Sequence, residues 1–128
     1  MPELPRYSYT GPVDHTMVPD RSQMKGKSVI VTGGANGMGE MMVREFRQAG
    51  AFVTFGDLND RGTEVEKELN AEESTVAFVK CDIRNWEDQV RLFETAKSKS
   101  PNNSVDIVVA NAGISRSSGD SLWNLDGK

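Results

Sequence analysis

Four short apolar runs recur along the chain, and segments with helical spacing lie between them. The runs are SVIVT from Ser28, AFVTF from Ala51, TVAFV from Thr75 and DIVVA from Asp106. A sheet with one wet face would alternate apolar and polar residues, whereas these nearly continuous apolar runs are typical of parallel strands that are covered on both faces. The pattern therefore predicts four buried strands with helices on both sides of the sheet.

The first two intervening segments predict helices. In the first, the apolar residues fall on one helical stripe, and Gly50 follows as a stop; the stripe consists of Met38, Met42, Phe46 and Ala49. The second helix, within residues 60–70, is shorter and has Val65 and Leu69 as its apolar pair.

The third intervening segment, NWEDQVRLFETAKSK, predicts the strongest helix. Asn85 is a candidate N-cap, and the acidic residues that follow suit the positive end of the helix dipole. Trp86, Val90 and Phe93 line up as its apolar stripe. The alternation of strands and helices predicts an α/β fold with a doubly wound parallel sheet of about four strands and three helices.

Composition narrows the class of protein. A length of 128 residues fits one domain, and the net charge of −4 with scattered basic residues argues against nucleic acid or an anionic membrane as a partner. Cys81 and His15 are each the only residue of their type, so no internal disulfide and no metal site are predicted. Without a signal peptide or a long apolar run, we expect a cytoplasmic protein.

Four glycines within VTGGANGMGE, residues 31–40, directly follow the first predicted strand. A glycine-rich turn between a strand and a helix is the arrangement in which helix N-terminal amides face a bound phosphate. Gly33 suits the tight turn, Gly37 a close approach to pyrophosphate, and Gly39 the packing of helix against strand. The spacing Gly-x-x-x-Gly-x-Gly differs from GxGxxG, so a bare turn without ligand stays open as an alternative.

Three polar residues follow the ends of the later strands. Asp57 closes the second, Asp82 the third and Asn111 the fourth, which places all three at the edge where open α/β sheets bind ligands. A carboxylate at Asp57 can accept hydrogen bonds from both ribose hydroxyls and would repel a 2′-phosphate, which favours NAD over NADP. Arg61 is a possible counter-charge, and an Asp57 that merely caps a turn is the alternative.

The segments TGGANGMG, Asp57, CDI and ANAG together resemble the short-chain dehydrogenase/reductase family. The longer stretches VTGGANGMGE, GAFVTFGDLN and VDIVVANAGIS are similar to fungal NAD-dependent members of this family. The resemblance covers roughly residues 25–113 and implies the cofactor-binding half of a Rossmann-like domain, incomplete here. It implies contacts to the pyrophosphate from Gly33, Asn36, Gly37 and Met38, and contacts to the adenosine ribose from Asp57 and Leu58. It also implies contacts to the adenine from Asp82 and Ile83, and contacts to the other ribose from Asn111, Ala112 and Gly113.

The family uses a Tyr with a Lys four residues later for acid–base chemistry, and this sequence has no Tyr-x-x-x-Lys. No catalytic residue is therefore assigned. We expect an extended or disordered arm over residues 1–24, a dinucleotide-binding half-domain over 25–114, and a flexible loop over 115–128 where the family fold is cut off.

Two functions are consistent with these patterns. The first is an NAD-dependent alcohol or ketone oxidoreductase that needs further segments for its chemistry, and the fungal resemblance suggests secondary metabolism. The second is a non-catalytic dinucleotide-binding fragment or decayed gene product. The substrate and the oligomeric state are not predicted.

Overall fold

The computed structural model describes residues 11–114. Its four strands form one parallel sheet in the order β3-β2-β1-β4. They are β1 (Ser28–Thr32), β2 (Phe52–Asp57), β3 (Val76–Lys80) and β4 (Ile107–Val109), and between them lie α1 (Gly37–Gln48), α2 (Gly62–Leu69) and α3 (Trp86–Lys99). The predicted α/β order, with four strands and three helices, is confirmed.

The sheet is covered on both faces, as the apolar runs predict. α1 and α2 pack on one face over a cluster that includes Val31, Val43, Phe55 and Val65, all at most 1% exposed. α3 packs on the other face through a smaller cluster of Ile30, Val79, Cys81, Leu92 and Ala96. Every side chain of β1 before Thr32 is buried, so its sequence does not alternate between apolar and polar residues.

α1 confirms two of the four residues of its predicted stripe. Met42 and Phe46 pack against the core, and Gly50 follows the helix end with a φ of +86°. Met38, at the first turn, is instead 75% exposed, while Val43 is fully buried. The buried face is therefore turned toward Val43 relative to the prediction.

The predicted apolar stripe of α3 is wrong. Trp86 and Phe93 are 71% and 42% exposed, and the helix is buried through Leu92 and Ala96. At 100° per residue these two faces lie about 100° apart around the helix. The stripe of Trp86 and Phe93 has as regular a helical spacing as the buried pair Leu92 and Ala96. Spacing therefore could not distinguish the two faces, and the prediction followed the larger side chains.

The N-terminal part of the described chain is exposed and mostly irregular, except for a 3-10 helix at Arg21–Met24. Asp20 caps this helix by accepting from the Ser22 N–H, and Arg21 pairs with Glu45 of α1 at 2.8 Å. The proposed arm over residues 1–24 does not anticipate this helix. Residues 1–10 and the predicted loop over 115–128 lie outside the described residues.

β4 lies at one edge of the described sheet and pairs only with β1 there. Asp106, just before it, joins the two strands by accepting from the Ser28 N–H at 2.8 Å and donating its own N–H to the Ser28 carbonyl. Val108 is 50% exposed. No helix in the described residues is long and apolar enough to cross a membrane.

Candidate functional site

A cleft of about 580 Å³ opens at the carboxyl edge of the sheet, between the loops that follow the four strands. Ten of the eleven positions that the sequence analysis selects line it. These are Gly33, Asn36, Met38, Asp57, Leu58, Asp82, Ile83, Asn111, Ala112 and Gly113. Loops distant in sequence therefore meet at one concave site, as expected for the carboxyl ends of parallel strands.

The turn between β1 and α1 is crowded, and glycine is required at several of its positions. Gly33 has a φ of +69°, and a Cβ there would lie 2.9 Å from the Ala112 Cα. At Gly39 a Cβ would lie 1.9 Å from the Gly33 carbonyl oxygen. Gly39 therefore lets the first turn of α1 sit directly on the turn, in keeping with its predicted packing role.

Gly37 differs from its neighbours. Its φ is +52°, and a Cβ there would have no atom within 4 Å. It does not line the main cleft but a separate apolar groove of about 740 Å³, together with Met38, Met41 and Phe46 among others. The open space above Gly37 means that nothing within the described residues fills the place next to its backbone.

The N-terminus of α1 lacks a side-chain cap. Asn36 occupies the N-cap position without a hydrogen bond from its side chain, whereas Asn85 caps α3 by accepting from the Asp88 N–H. An uncapped first turn presents backbone N–H groups and the positive end of the helix dipole. The first turn of α1 lies next to the cleft, and its N-terminus has no hydrogen bond from the Asn36 side chain, an arrangement typical of anion sites.

Asp57 contacts two backbone groups. One carboxylate oxygen accepts from the Ala35 N–H at 2.9 Å and the other from the Asn59 N–H at 2.9 Å. The turn-capping alternative is thus correct as a description of local structure. The side chain also lines the cleft, and each carboxylate oxygen has a second lone pair available for a ligand.

Asp82 forms an ion pair with Arg84 at 2.7 Å. Hydrogen bonds from the Arg84 side chain, and then from its backbone N–H, lower the pKa of Asp82 to about 2. The Asp82 N–H donates to Asp88, and the Ile83 carbonyl accepts from Gln89, so two side chains of α3 fix this loop at the cleft.

Asn111 connects the loop after β4 to the glycine turn. Its side-chain Nδ2 donates to the carbonyl oxygens of Thr32 and Gly33, at 3.0 and 3.2 Å. In return, the Thr32 hydroxyl oxygen accepts from the N–H groups of Asn111 and Ala112. These bonds hold the ends of β1 and β4 together at the floor of the cleft.

Some residues at this edge were missed by sequence reasoning. Thr32 has no signal of its own because any β-branched residue fits a strand. Gly56 and Cys81 line the cleft, and a Cβ at Gly56 would lie 3.0 Å from the Cys81 Cβ. Burial raises the pKa of the Cys81 thiol. Arg84 and Ile114 also line the cleft.

Arg61, the possible counter-charge, is already engaged. Its Nη1 donates to the Ala35 carbonyl and to Glu40 of α1, each at 2.5 Å. Glu40 also accepts from Arg44, which in turn pairs with Glu68. Among residues 11–114, no group of three or more His, Cys, Asp or Glu side chains is placed to hold a metal ion.

Comparison with known proteins identifies the class. The short chain dehydrogenase family model matches residues 27–126, and the chain belongs to this family. It is similar to 5'-hydroxyaverantin dehydrogenases of two fungi, which confirms the resemblance to fungal members. The Dothistroma septosporum protein is 33% identical over 105 residues, covering 80% of this chain and 34% of the relative. The Emericella nidulans protein is 33% identical over 111 residues, covering 87% and 35%. The chain thus spans about a third of these relatives' length.

Solved structures support the same class. A 3-ketoacyl-(acyl-carrier-protein) reductase from Brucella melitensis, complexed with NADH, has a TM-score of 0.64 and 34% identity over 71% of this chain and 36% of that one. A short chain dehydrogenase from Bacillus anthracis has a TM-score of 0.63 and 32% identity over 70% and 36%. The predicted Rossmann-like fold is confirmed.

Proposed function

We propose that the cleft binds NAD(H) in preference to NADP(H), as the cofactor site of an oxidoreductase that interconverts alcohols and ketones. The observation that carries the proposal is the meeting of ten predicted contact positions in one cleft beside an uncapped helix end. The Brucella reductase, similar over this region, is described with NADH bound. Two fungal relatives are named for dehydrogenation of a hydroxylated compound, which supports an alcohol–ketone couple.

The residues present fit a dinucleotide. The first turn of α1, with Gly33, Asn36, Gly37 and Met38, would hold the pyrophosphate on backbone N–H groups. Asp57 and Leu58 would contact the adenosine ribose, and Asp82 and Ile83 the adenine. Asn111, Ala112 and Gly113 would contact the other ribose, while the Asn111 amide keeps that loop against β1.

A bound nicotinamide supplies the hydride donor or acceptor, and this chain's residues bind and orient it. In the described residues, the ionisable side chains that line the cleft are Asp57, Cys81, Asp82 and Arg84. Asp57 and Asp82 are held by hydrogen bonds and burial raises the Cys81 pKa, so none of these groups is given the proton-transfer role. A cytoplasmic location, a fungal secondary-metabolic setting and the boundaries near residues 24 and 114 stay predictions.

The 128-residue chain on its own should not turn over alcohols or ketones, because its sequence has no Tyr-x-x-x-Lys. Positioned acid–base catalysis contributes about 10² to 10⁴ in rate, and loss of orientation adds to this deficit. The assay follows the reduced-nicotinamide absorbance band across a panel of alcohols and ketones. Turnover that exceeds the background of a Gly37→Val preparation would show that an unassigned residue performs the chemistry.

Asp57→Ala should reduce the preference for NAD over NADP by about tenfold, because it removes both the ribose acceptor and the repulsion of a 2′-phosphate. Calorimetric titration of both cofactors into the parent and the variant measures this ratio. Asp60→Ala, at an exposed carboxylate outside the cleft that pairs with Lys80, is the matched control. A parent chain that binds NADP(H) more tightly than NAD(H) would contradict the proposed preference.

A further inference from the structure

Ala35, in the turn between β1 and α1, is held on both of its backbone groups. Its N–H donates to the Asp57 carboxylate at 2.9 Å, and its carbonyl accepts from the Arg61 guanidinium. Ala35 itself is fully buried. Asp57, whose carboxylate would contact the ribose, and Arg61 are thus hydrogen-bonded to the same residue of the turn. Arg61 therefore lies beside the ribose end of the cleft.

Glu40 fixes the position of Arg61. This carboxylate lies in the first turn of α1, has a side chain only 15% exposed, and accepts from both terminal nitrogens of Arg61. Hydrogen bonds from Arg61 and then from Arg44 lower the pKa of Glu40, so the pair is ionised at neutral pH. Arg61 therefore has a carboxylate partner, and Glu40 and the Ala35 carbonyl together accept three of its hydrogen bonds.

The two arginines on Glu40 do not depend on it equally. Arg44 also donates both terminal nitrogens to Glu68, at 3.0 and 2.9 Å. Within residues 11–114, Arg61 has only Glu40 as an ion-pair partner. Removing the charge of Glu40 would leave Arg44 paired with Glu68. Among the described residues, Arg61 would keep its hydrogen bond to the Ala35 carbonyl but lose its ion-pair partner, and its side chain is 42% exposed.

We infer that Glu40 sets the cofactor preference of the cleft by keeping the Arg61 guanidinium paired on the glycine turn, so that this cation does not bind a ribose 2′-phosphate at the neighbouring end of the cleft. An Arg close to this position is the usual partner of that phosphate in dinucleotide folds, and its planar fork suits the dianion. Discrimination against NADP then has two parts, which are repulsion by Asp57 and the pairing of the Arg61 cation with Glu40. The inference rests on the proposed function, and Glu40 is a positioning residue within it.

The test is the ratio of NADP(H) to NAD(H) dissociation constants, measured by calorimetry on the full chain at one ionic strength. Glu40→Gln should lower this ratio roughly tenfold, as expected for a gained hydrogen-bonded charge contact. Glu40→Gln combined with Arg61→Ala should return the ratio to the parent value, because the released cation is absent. A general loss of helix stability would not change the ratio in this manner.

Glu45→Gln is the matched control, since it makes the same charge change on the same helix at a residue that pairs with Arg21 outside the cleft. Its ratio should stay at the parent value. An unchanged ratio in folded Glu40→Gln, or a shift that persists in the double variant, overturns the inference. If circular dichroism shows Glu40→Gln unfolded, Glu40→Asp decides, because the shorter carboxylate keeps the charge in the first turn of α1 but reaches Arg61 less well and should shift the ratio in the same direction. A parent that binds neither cofactor contradicts the proposed function itself.

Discussion

Gly39→Ala should unfold the chain or lower its free energy of unfolding by about 3 kcal/mol, because the added methyl group has no room. A Cβ at this position would lie 1.9 Å from the Gly33 carbonyl oxygen and 2.7 Å from the Asn111 amide nitrogen. Both neighbours are fixed, the first in the glycine turn and the second by its bonds to the end of β1. Relief requires α1 to move away from the sheet.

Urea unfolding followed by circular dichroism measures this effect. Ser98→Ala, near the exposed end of α3, introduces the same side chain in a helix without a steric contact and serves as the control. It should stay within about 0.5 kcal/mol of the parent. A Gly39→Ala chain as stable as this control would mean that α1 does not pack on the glycine turn.

Gly37→Val should abolish dinucleotide binding while the chain stays folded. The structure leaves the space next to Gly37 open, so the fold bears only the strain of a positive φ, about 1–2 kcal/mol. A branched side chain there would stand between the first turn of α1 and a pyrophosphate. Loss of two charge-assisted hydrogen bonds weakens binding by about 100-fold or more, which calorimetry with NAD(H) detects.

Gly26→Val is the matched control for this variant. Gly26 also has a positive φ, of +75°, and also has open space at the Cβ position, but it precedes β1 and does not line the cleft. Its stability should fall by a similar amount, and its affinity for NAD(H) should not change. Binding by folded Gly37→Val at the parent affinity would contradict the pyrophosphate assignment.

The sheet and the meeting of its loops could be predicted from sequence because burial on both faces leaves a direct record in residue type. The centre of β1, VIV, is apolar at every position because the strand lies between two layers of helices. Parallel strands bring Asp57, Asp82 and Asn111 to one edge of the sheet whatever the detailed course of the loops. These features depend on the order of elements and not on any single contact.

The details that depend on packing and on pairing could not be predicted. The buried face of α3 is chosen by how closely Leu92 and Ala96 fit the sheet, and the aromatic stripe of Trp86 and Phe93 has an equally regular spacing. Arg61 looked available from its nearness to Asp57 in sequence. Only the structure shows that Glu40, on a different helix, holds it.

The central claim, that the cleft at the carboxyl edge of the sheet is a dinucleotide site, is tested most directly by NMR titration of the isotope-labelled chain with NAD⁺. A dinucleotide site there predicts saturable shifts of the backbone amides at Gly37, at the start of α1, and at Leu58, Ile83 and Gly113, which line the cleft after the other three strands. The amide of Ser98, on α3 and away from the cleft, should not move. Saturable shifts confined to other surfaces, or no saturable shifts at all from a folded chain, would contradict it.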